Sequence, residues 1–182
     1  MNNIIHNIIK NRYSPVIFSS KKIEKEKLVS LFEAARWAPS SYNEQPWRFI
    51  IGVKNQDENY AKLFDCLVEA NQYWAKFAPV LVMSLAKRTS TVTGKPNRFA
   101  QHDTGMAVGN LLAQATSLGL YVHQIGGYSI TKAKEHFEIN DDLEPMAIMA
   151  IGYKGEIELF PDDLQKREKK ERLRKGLDEI LF

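Results

Sequence analysis

An α+β fold, a single three-layer domain, is predicted for this sequence by three observations. Apolar residues change repeatedly between a helical period and short continuous runs. No internal repeat or linker divides the chain. Its 182 residues suit one domain large enough to bury a substantial core between packed layers.

The first element is an N-terminal helix with Ile4, Ile5, Ile8 and Ile9 on one stripe. A second helix carries Leu28, Leu31, Phe32 and Ala35 and ends near Trp37. The period then changes, and Arg48-Phe49-Ile50-Ile51-Gly52-Val53 reads as a buried strand. Leu63, Phe64, Leu67 and Val68 mark one face of a helix running roughly from Glu58 to Ala70. Pro79 opens a second strand, Val80 to Leu85, too apolar to have a solvated face and therefore central in a sheet.

A polar, turn-rich loop from Lys87 to Pro96 precedes the longest helical pattern, about Phe99 to Leu118. Its Gly105 and Gly109, four apart, let another backbone approach closely, and Gly119 is placed to cap its C-terminus. A strand follows from Leu120 to Ile125, stopped by Gly126-Gly127. A short helix near Lys132 to Phe137 leads to a last strand, Ala147 to Gly152. From Glu156 to Phe182 the chain is charged and poor in core residues, yet it closes with Leu177, Ile180, Leu181 and Phe182. An apolar tip on a polar arm suggests docking, either on its own domain or on a second subunit.

Composition narrows the function classes. The net charge of +3 is too small to imply nucleic acid, and Glu168 and Glu171 interrupt the basic run from Lys166 to Lys175. Cys66 alone excludes an internal disulfide framework and fits a reducing compartment. With no long apolar segment, signal-like start or lipidation motif, a cytoplasmic location away from membranes is expected. No Gly-x-Gly-x-x-Gly follows a strand, Gly94-Lys95 lacks the rest of a phosphate-binding loop, and no Gly-x-Ser-x-Gly elbow is present. His6, His102, His123 and His136 lack metal-ligand spacing, so no metal site is expected. Adjacent His102-Asp103 has acid–base chemistry available, but neighbours on a helix point in different directions.

The richest stretch is Ala38-Pro39-Ser40-Ser41-Tyr42-Asn43-Glu44-Gln45-Pro46-Trp47. Two prolines fix backbone angles, while Ser40, Ser41, Asn43 and Gln45 offer neutral donors and acceptors suited to a flat polar heterocycle and its polyol. An ordinary capped turn has the same composition. Arg12 and Ser14 have the chemistry to bind an anion, as do Arg172 and Arg174, which an extended segment places on one side.

Taken together, these stretches resemble the FMN-dependent nitroreductase family over nearly the whole chain. The resemblance rests on Arg12-x-Ser14-x-x-x-Phe18, then Pro39-Ser40-Ser41-x-Asn43-x-Gln45-Pro46-Trp47, and Ala78-Pro79 before an apolar strand. Leu118-Gly119-Leu120, Ile125-Gly126-Gly127 and Arg174-Lys175-Gly176-Leu177 complete it. It implies an α-β-α sandwich on a mostly antiparallel sheet, with the arm of residues 156–182 wrapping the partner of a homodimer. It also implies FMN at the subunit interface and NAD(P)H as electron donor, with ping-pong hydride transfer through flavin N5 to nitroaromatics, quinones or related acceptors.

The residue roles follow from the same resemblance. Arg12, Arg172, Arg174 and Ser14 would bind the FMN phosphate, with Tyr13 beside the ring system. Asn43 and Asn71 would satisfy polar groups of the flavin, while Pro39, Ser40, Ser41 and Gln45 line it. Gln124, Ile125, Gly126 and Gly127 would pass beneath it, Ile125 covering one face and a backbone N–H near Gly126 or Gly127 facing N5. Phe99 and His102 are candidates for the substrate side, and no side chain is expected to act as nucleophile or base. Two positions depart from the family pattern. Val16 stands where many relatives place a cation near the flavin N1/O2 edge, and Gly126 stands where an acidic residue is frequent. Other readings remain open: a flavin-binding sensor or carrier without turnover, a member that dehalogenates, dehydrogenates or cleaves flavin, or a nucleic-acid-binding domain with a basic arm.

Overall fold

The computed structural model describes residues 5–182; Ile4 of the N-terminal stripe lies outside them. Four strands form one sheet: β1 (Trp47–Val53), β2 (Val80–Lys87), β3 (Tyr121–Ile125) and β4 (Leu143–Gly152). Their order is β1-β2-β4-β3, and every neighbouring pair is antiparallel. Ser84 pairs with Ala147, and the register shifts before Leu85 meets Pro145. A bulge at this point accommodates a residue that has no N–H to give the ladder.

The apolar runs of β2 and β4 are explained by burial on both faces. Leu81, Met83 and Leu85 alternate with Val80 and Val82, and Ile148 and Ala150 alternate with Met149 and Ile151. The first set packs against α3 (Glu58–Cys66), α4 (Glu69–Ala75) and α6 (Ile130–Phe137) through residues such as Leu63, Trp74 and Ala133. The second packs against α2 (Lys25–Arg36) and α5 (Ala100–Ser117) through Leu31, Ala35, Ala107 and Leu111. Each large aliphatic side chain removed from water contributes about 1.5–3 kcal/mol, so both helical layers are tied to the same strands. The expected three-layer α+β architecture is the one observed.

Several sequence expectations are corrected in detail. The helix expected from Glu58 to Ala70 is two helices, because Leu67 and Val68 between them are extended. Leu67 makes a β-bridge with Tyr128, and the Val68 N–H donates to the Gly127 carbonyl at 3.1 Å. Tertiary pairing overrides a continuous helical period here. The last strand begins at Leu143 rather than Ala147, and α6 begins at Ile130, its N-cap Ser129 accepting from the Lys132 N–H. Gly119, with φ of 71°, provides the left-handed turn out of α5.

The two ends of the chain pack differently from their patterns. Helix α1 (Asn7–Asn11) buries no residue, and Ile5 and Ile9 are exposed. The region after Glu156 is not wholly extended: α7 (Asp162–Glu168) docks on the chain's own domain through buried Leu164 and Glu168. The apolar tip beyond it, Leu177, Ile180, Leu181 and Phe182, is exposed. Gly105 and Gly109 do not receive a neighbour from this chain either, since a Cβ at either position would have open space around it. No helix among the described residues is long and apolar enough to cross a membrane.

Gly52 is where β1 and α3 touch most closely: a Cβ there would lie 2.4 Å from the Tyr60 nitrogen and 2.5 Å from its Cα. Backbone cannot yield as a flexible side chain does. Gly52→Ala is expected to lower stability by about 2–3 kcal/mol, read as a fall in the denaturant midpoint at unchanged slope.

Candidate functional site

The polar loop between α2 and β1 is held by backbone strain and by one buried carboxylate. Tyr42, Asn43 and Gln45 have φ of 52°, 55° and 48°, conformations that non-glycine residues adopt only where the surroundings impose them. Ser40 Oγ accepts from the Gln45 N–H at 3.0 Å and closes the turn. Asp103, buried on α5, takes the Ser41 N–H on one oxygen at 2.9 Å and meets His102 Nδ1 with the other at 3.0 Å. The Asn43 carbonyl accepts from Gln45 Nε2, and the Gln45 carbonyl from Arg48. Ser40 and Gln45 thus shape the loop from within, while Pro39, Tyr42 and Asn43 face outward.

Glu44 fastens this loop to the turn-rich segment after β2. Its carboxylate accepts from the Ser90 hydroxyl, from the Thr91 N–H at 2.8 Å and hydroxyl at 2.7 Å, and from the Val92 N–H. Hydrogen bonds from Ser90 and then Thr91 hold its pKa down to about 2. Ser41, Tyr42, Val92 and Phe99 therefore border one cavity of about 320 Å³. Phe99, with the Arg98 guanidinium 4.6 Å over its ring, lies at that cavity, and the His102 side chain is exposed one turn along α5.

A second part of the site lies where β3 ends. The Gly127 carbonyl accepts from Val68 N–H and from Asn71 Nδ2 at 3.0 Å, while Asn71 Oδ1 accepts from Trp74 Nε1 at 3.3 Å. Both ends of the Asn71 amide are thereby engaged with protein. A Cβ at Gly127 would fall 2.5 Å from Asn71 Nδ2, so glycine permits this close approach. Among the described residues, the N–H groups of Gly126 and Gly127 donate to no protein acceptor. Gly126 is exposed with open space where a side chain would project, and Gln124 beside it is exposed too. Ile125 is different: its side chain is buried in the core below the sheet. Strand alternation turns it away from Gln124, so the Ile125 side chain offers almost no exposed surface for the cover expected of it.

The third part joins the two ends of the chain. Arg12 Nη1 donates to Ser14 Oγ at 2.9 Å, and Arg172 donates to the carbonyls of Arg12 at 2.6 Å and Lys10 at 2.9 Å. Burial and the like charges of Arg174 and Arg172 hold the Arg12 guanidinium below the ordinary arginine value. Three cations therefore converge from positions 12, 172 and 174, a concentration of positive charge suited to an anion. Tyr13 lies under the Arg172 guanidinium, donates to the Glu168 carbonyl at 2.6 Å, and is pushed up to about 12 by burial and then by Glu168. It remains a protonated donor. His123 Nδ1 lies 2.7 Å from the Pro15 carbonyl, while burial lowers the imidazole below its ordinary value. The neutral ring therefore carries its proton on Nδ1 and fixes the peptide after Pro15.

Not all predicted residues meet in one chain. Asp103, which anchors the polar loop, and Thr116, which lines the cavity beside Tyr13 and Arg172, are on the same straight helix. At 1.5 Å per residue their separation is about 20 Å, so the loop and the arginines occupy opposite ends of α5. Val16, expected to depart from the family pattern, is buried in the core with its N–H 2.8 Å from Glu168 Oε2. Neither Glu168, an acidic interruption in a basic run, nor Asp103 is marked as an anchor by the residues around it in the sequence. The four-residue spacing of Leu164 and Glu168 signals only that both lie on one helix face. Among the described residues no group of three or more His, Cys, Asp or Glu side chains is arranged to hold a metal ion.

Comparison with known proteins is consistent across sequence and structure. A model of the nitroreductase family matches residues 9–153. A solved oxidoreductase described as containing FMN is 32% identical, with a TM-score of 0.92 covering 100% of this chain and 92% of that one. A nitroreductase family protein of Clostridium difficile 630 is 28% identical, with a TM-score of 0.73 over 96% of this chain and 95% of its own. A candidate NADH dehydrogenase/NAD(P)H nitroreductase of Methanothermobacter thermautotrophicus is 29% identical over 154 residues, which are 81% of this chain and 76% of that protein.

The Asp103 contact gives a direct test of how the loop is held. Asp103→Ala leaves the Ser41 N–H without its acceptor and is expected to destabilise the chain by about 1–3 kcal/mol. Hydrogen exchange should accelerate at Ser41 while the amides of β2 stay protected. Unchanged protection at Ser41 would contradict this assignment.

Proposed function

Because the chain belongs to the nitroreductase family, we propose that it is an NAD(P)H-dependent flavin oxidoreductase whose FMN lies between two copies of the chain. The observation that carries this reading is the convergence of Arg12, Arg172 and Arg174 beside Ser14. A phosphate monoester near neutral pH calls for several fixed cations, and an anion among these arginines would relieve their mutual repulsion. The unengaged N–H groups at Gly126 and Gly127 and the neutral, strained loop from Pro39 to Gln45 fit the rest of such a ligand. When bound, FMN would supply the redox chemistry, carrying two electrons from NADH or NADPH to an acceptor such as a nitroaromatic or a quinone.

The chain's own tasks are binding, orientation and shielding. Arg12, Arg172, Arg174 and Ser14 hold the phosphate, and Tyr13 borders the cofactor. Gly126 or Gly127 would offer a backbone N–H to the flavin ring, a fixed donor that orients it without reorganising. Gln124 lies beside these glycines. Asn71 acts through Gly127, whose carbonyl it holds, rather than on the flavin itself. Pro39, Ser41 and Asn43 form the opposite wall, whose shape Ser40 and Gln45 hold from within, and Phe99 and His102 border the acceptor. No side chain is required as nucleophile, and water is a sufficient proton source.

A second copy of the chain answers the separation along α5. One protomer brings the arginines and the end of β3, and its partner brings the polar loop. The open face at Gly105 and Gly109 and the exposed tip Leu177 to Phe182 supply apolar surface for that association.

Purified protein is expected to show an oxidised flavin spectrum that bleaches anaerobically on addition of NADH or NADPH. Absence of flavin even after reconstitution with FMN would overturn the reading. Arg12→Ala should weaken FMN binding about ten- to hundredfold, the range for loss of one charge-assisted contact. Removal of residues 177–182 should shift the sedimentation profile toward monomer and release flavin together; a truncated chain that stayed dimeric with its flavin would contradict the role of the tip.

A further inference from the structure

Glu168 is a charged side chain buried completely at the end of α7. There the regular chain gives way to the segment carrying Arg172 and Arg174. Oε2 accepts from the Val16 N–H at 2.8 Å and the Ile17 N–H at 3.3 Å. Its backbone carbonyl takes the Tyr13 hydroxyl at 2.6 Å. Oε1 has Lys154 Nζ at 3.8 Å but no hydrogen-bond partner among the described residues.

Packing does not account for this glutamate. A leucine would fill comparable space, as Leu164 does one turn earlier, without leaving a carboxylate oxygen buried and short of a hydrogen bond. What a leucine would not do is bond the backbone at two successive residues just after Ser14. Glu168 therefore fastens the C-terminal segment to the N-terminal segment at a fixed register, four residues before Arg172. A four-residue stretch reaches at most about 13 Å, so this attachment decides which side chains arrive beside Arg12.

We propose that Glu168 is a positioning residue for the anion site: by holding the N–H groups of Val16 and Ile17 it sets Arg172 and Arg174 against Arg12, and thereby determines the preference for a phosphorylated flavin over riboflavin. The inference rests on the FMN reading above and adds to it the residue that makes the arginine cluster selective. Glu168 touches no reacting atom. It acts through the arginines.

The test measures FMN and riboflavin affinity separately on the full chain, by quenching of flavin fluorescence. The wild type prefers FMN. Glu168→Ala is expected to weaken FMN binding about tenfold or more, with riboflavin affinity unchanged, because the arginines and not the ring contacts are displaced. Glu168→Gln retains an oxygen for the two N–H groups and should restore most of the FMN affinity. Retention of the full wild-type preference in Glu168→Ala would overturn the proposal while leaving the anion site standing. Equal loss of both flavins would overturn it too, reducing Glu168 to a fold contact. Equal binding of both flavins by the wild type would instead overturn the FMN reading itself.

Discussion

Burial of β2 and β4 on both faces is the constraint on which the rest of the molecule depends. Neither strand has a solvated side, so helices must cover the sheet above and below, and the chain cannot satisfy that demand with one layer. The consequence reaches the site through α5. That helix lies along one face of the sheet as a rigid rod, and its two ends position the polar loop and the cavity beside Tyr13. The sheet thus holds the polar loop of each chain away from that chain's own arginines, so that in the proposed dimer the two belong to different sites.

Within that frame, the site is shaped by side chains that bond to backbone. Asp103 holds Ser41, Asn71 holds Gly127, Glu168 holds Val16 and Ile17, and Glu44 holds the segment at Thr91 and Val92. None needs to touch a ligand for its removal to move the groups that would. A loop pinned in this way is prepared in advance, so less ordering remains to be done when a ligand arrives. The left-handed conformations at Tyr42, Asn43 and Gln45 are the local cost of that preparation.

The sequence was most legible where a period persisted long enough to identify a face. The strand at Val80 to Leu85 and the long helix before Gly119 were readable from their patterns, and short hydroxyl and amide side chains marked the polar loop. Legibility failed where tertiary pairing broke a pattern. Nothing local reveals that Leu67 and Val68 leave a helix to meet Tyr128 and Gly127. It failed also where the decisive property was direction. Ile125 belongs to a motif beside the proposed flavin, yet the strand turns its side chain into the core. Glu168 looked like one charge in a solvated run because burial on a short helix depends on what lies beneath it.

The contact between Arg172 and the carbonyl of Arg12 joins residues 160 positions apart. During synthesis, α1 and Arg12 emerge early, while the arm that completes the charge cluster does not yet exist. Loop closure over this distance adds little entropy beyond that of a medium loop, because the cost grows only with the logarithm of length. Timing is the greater restriction. The residues after Glu168 are synthesised after every strand and both helical layers, so the order of translation makes the arginine cluster a late acquisition. A nascent chain would therefore acquire its shape first and its grip on an anion afterwards.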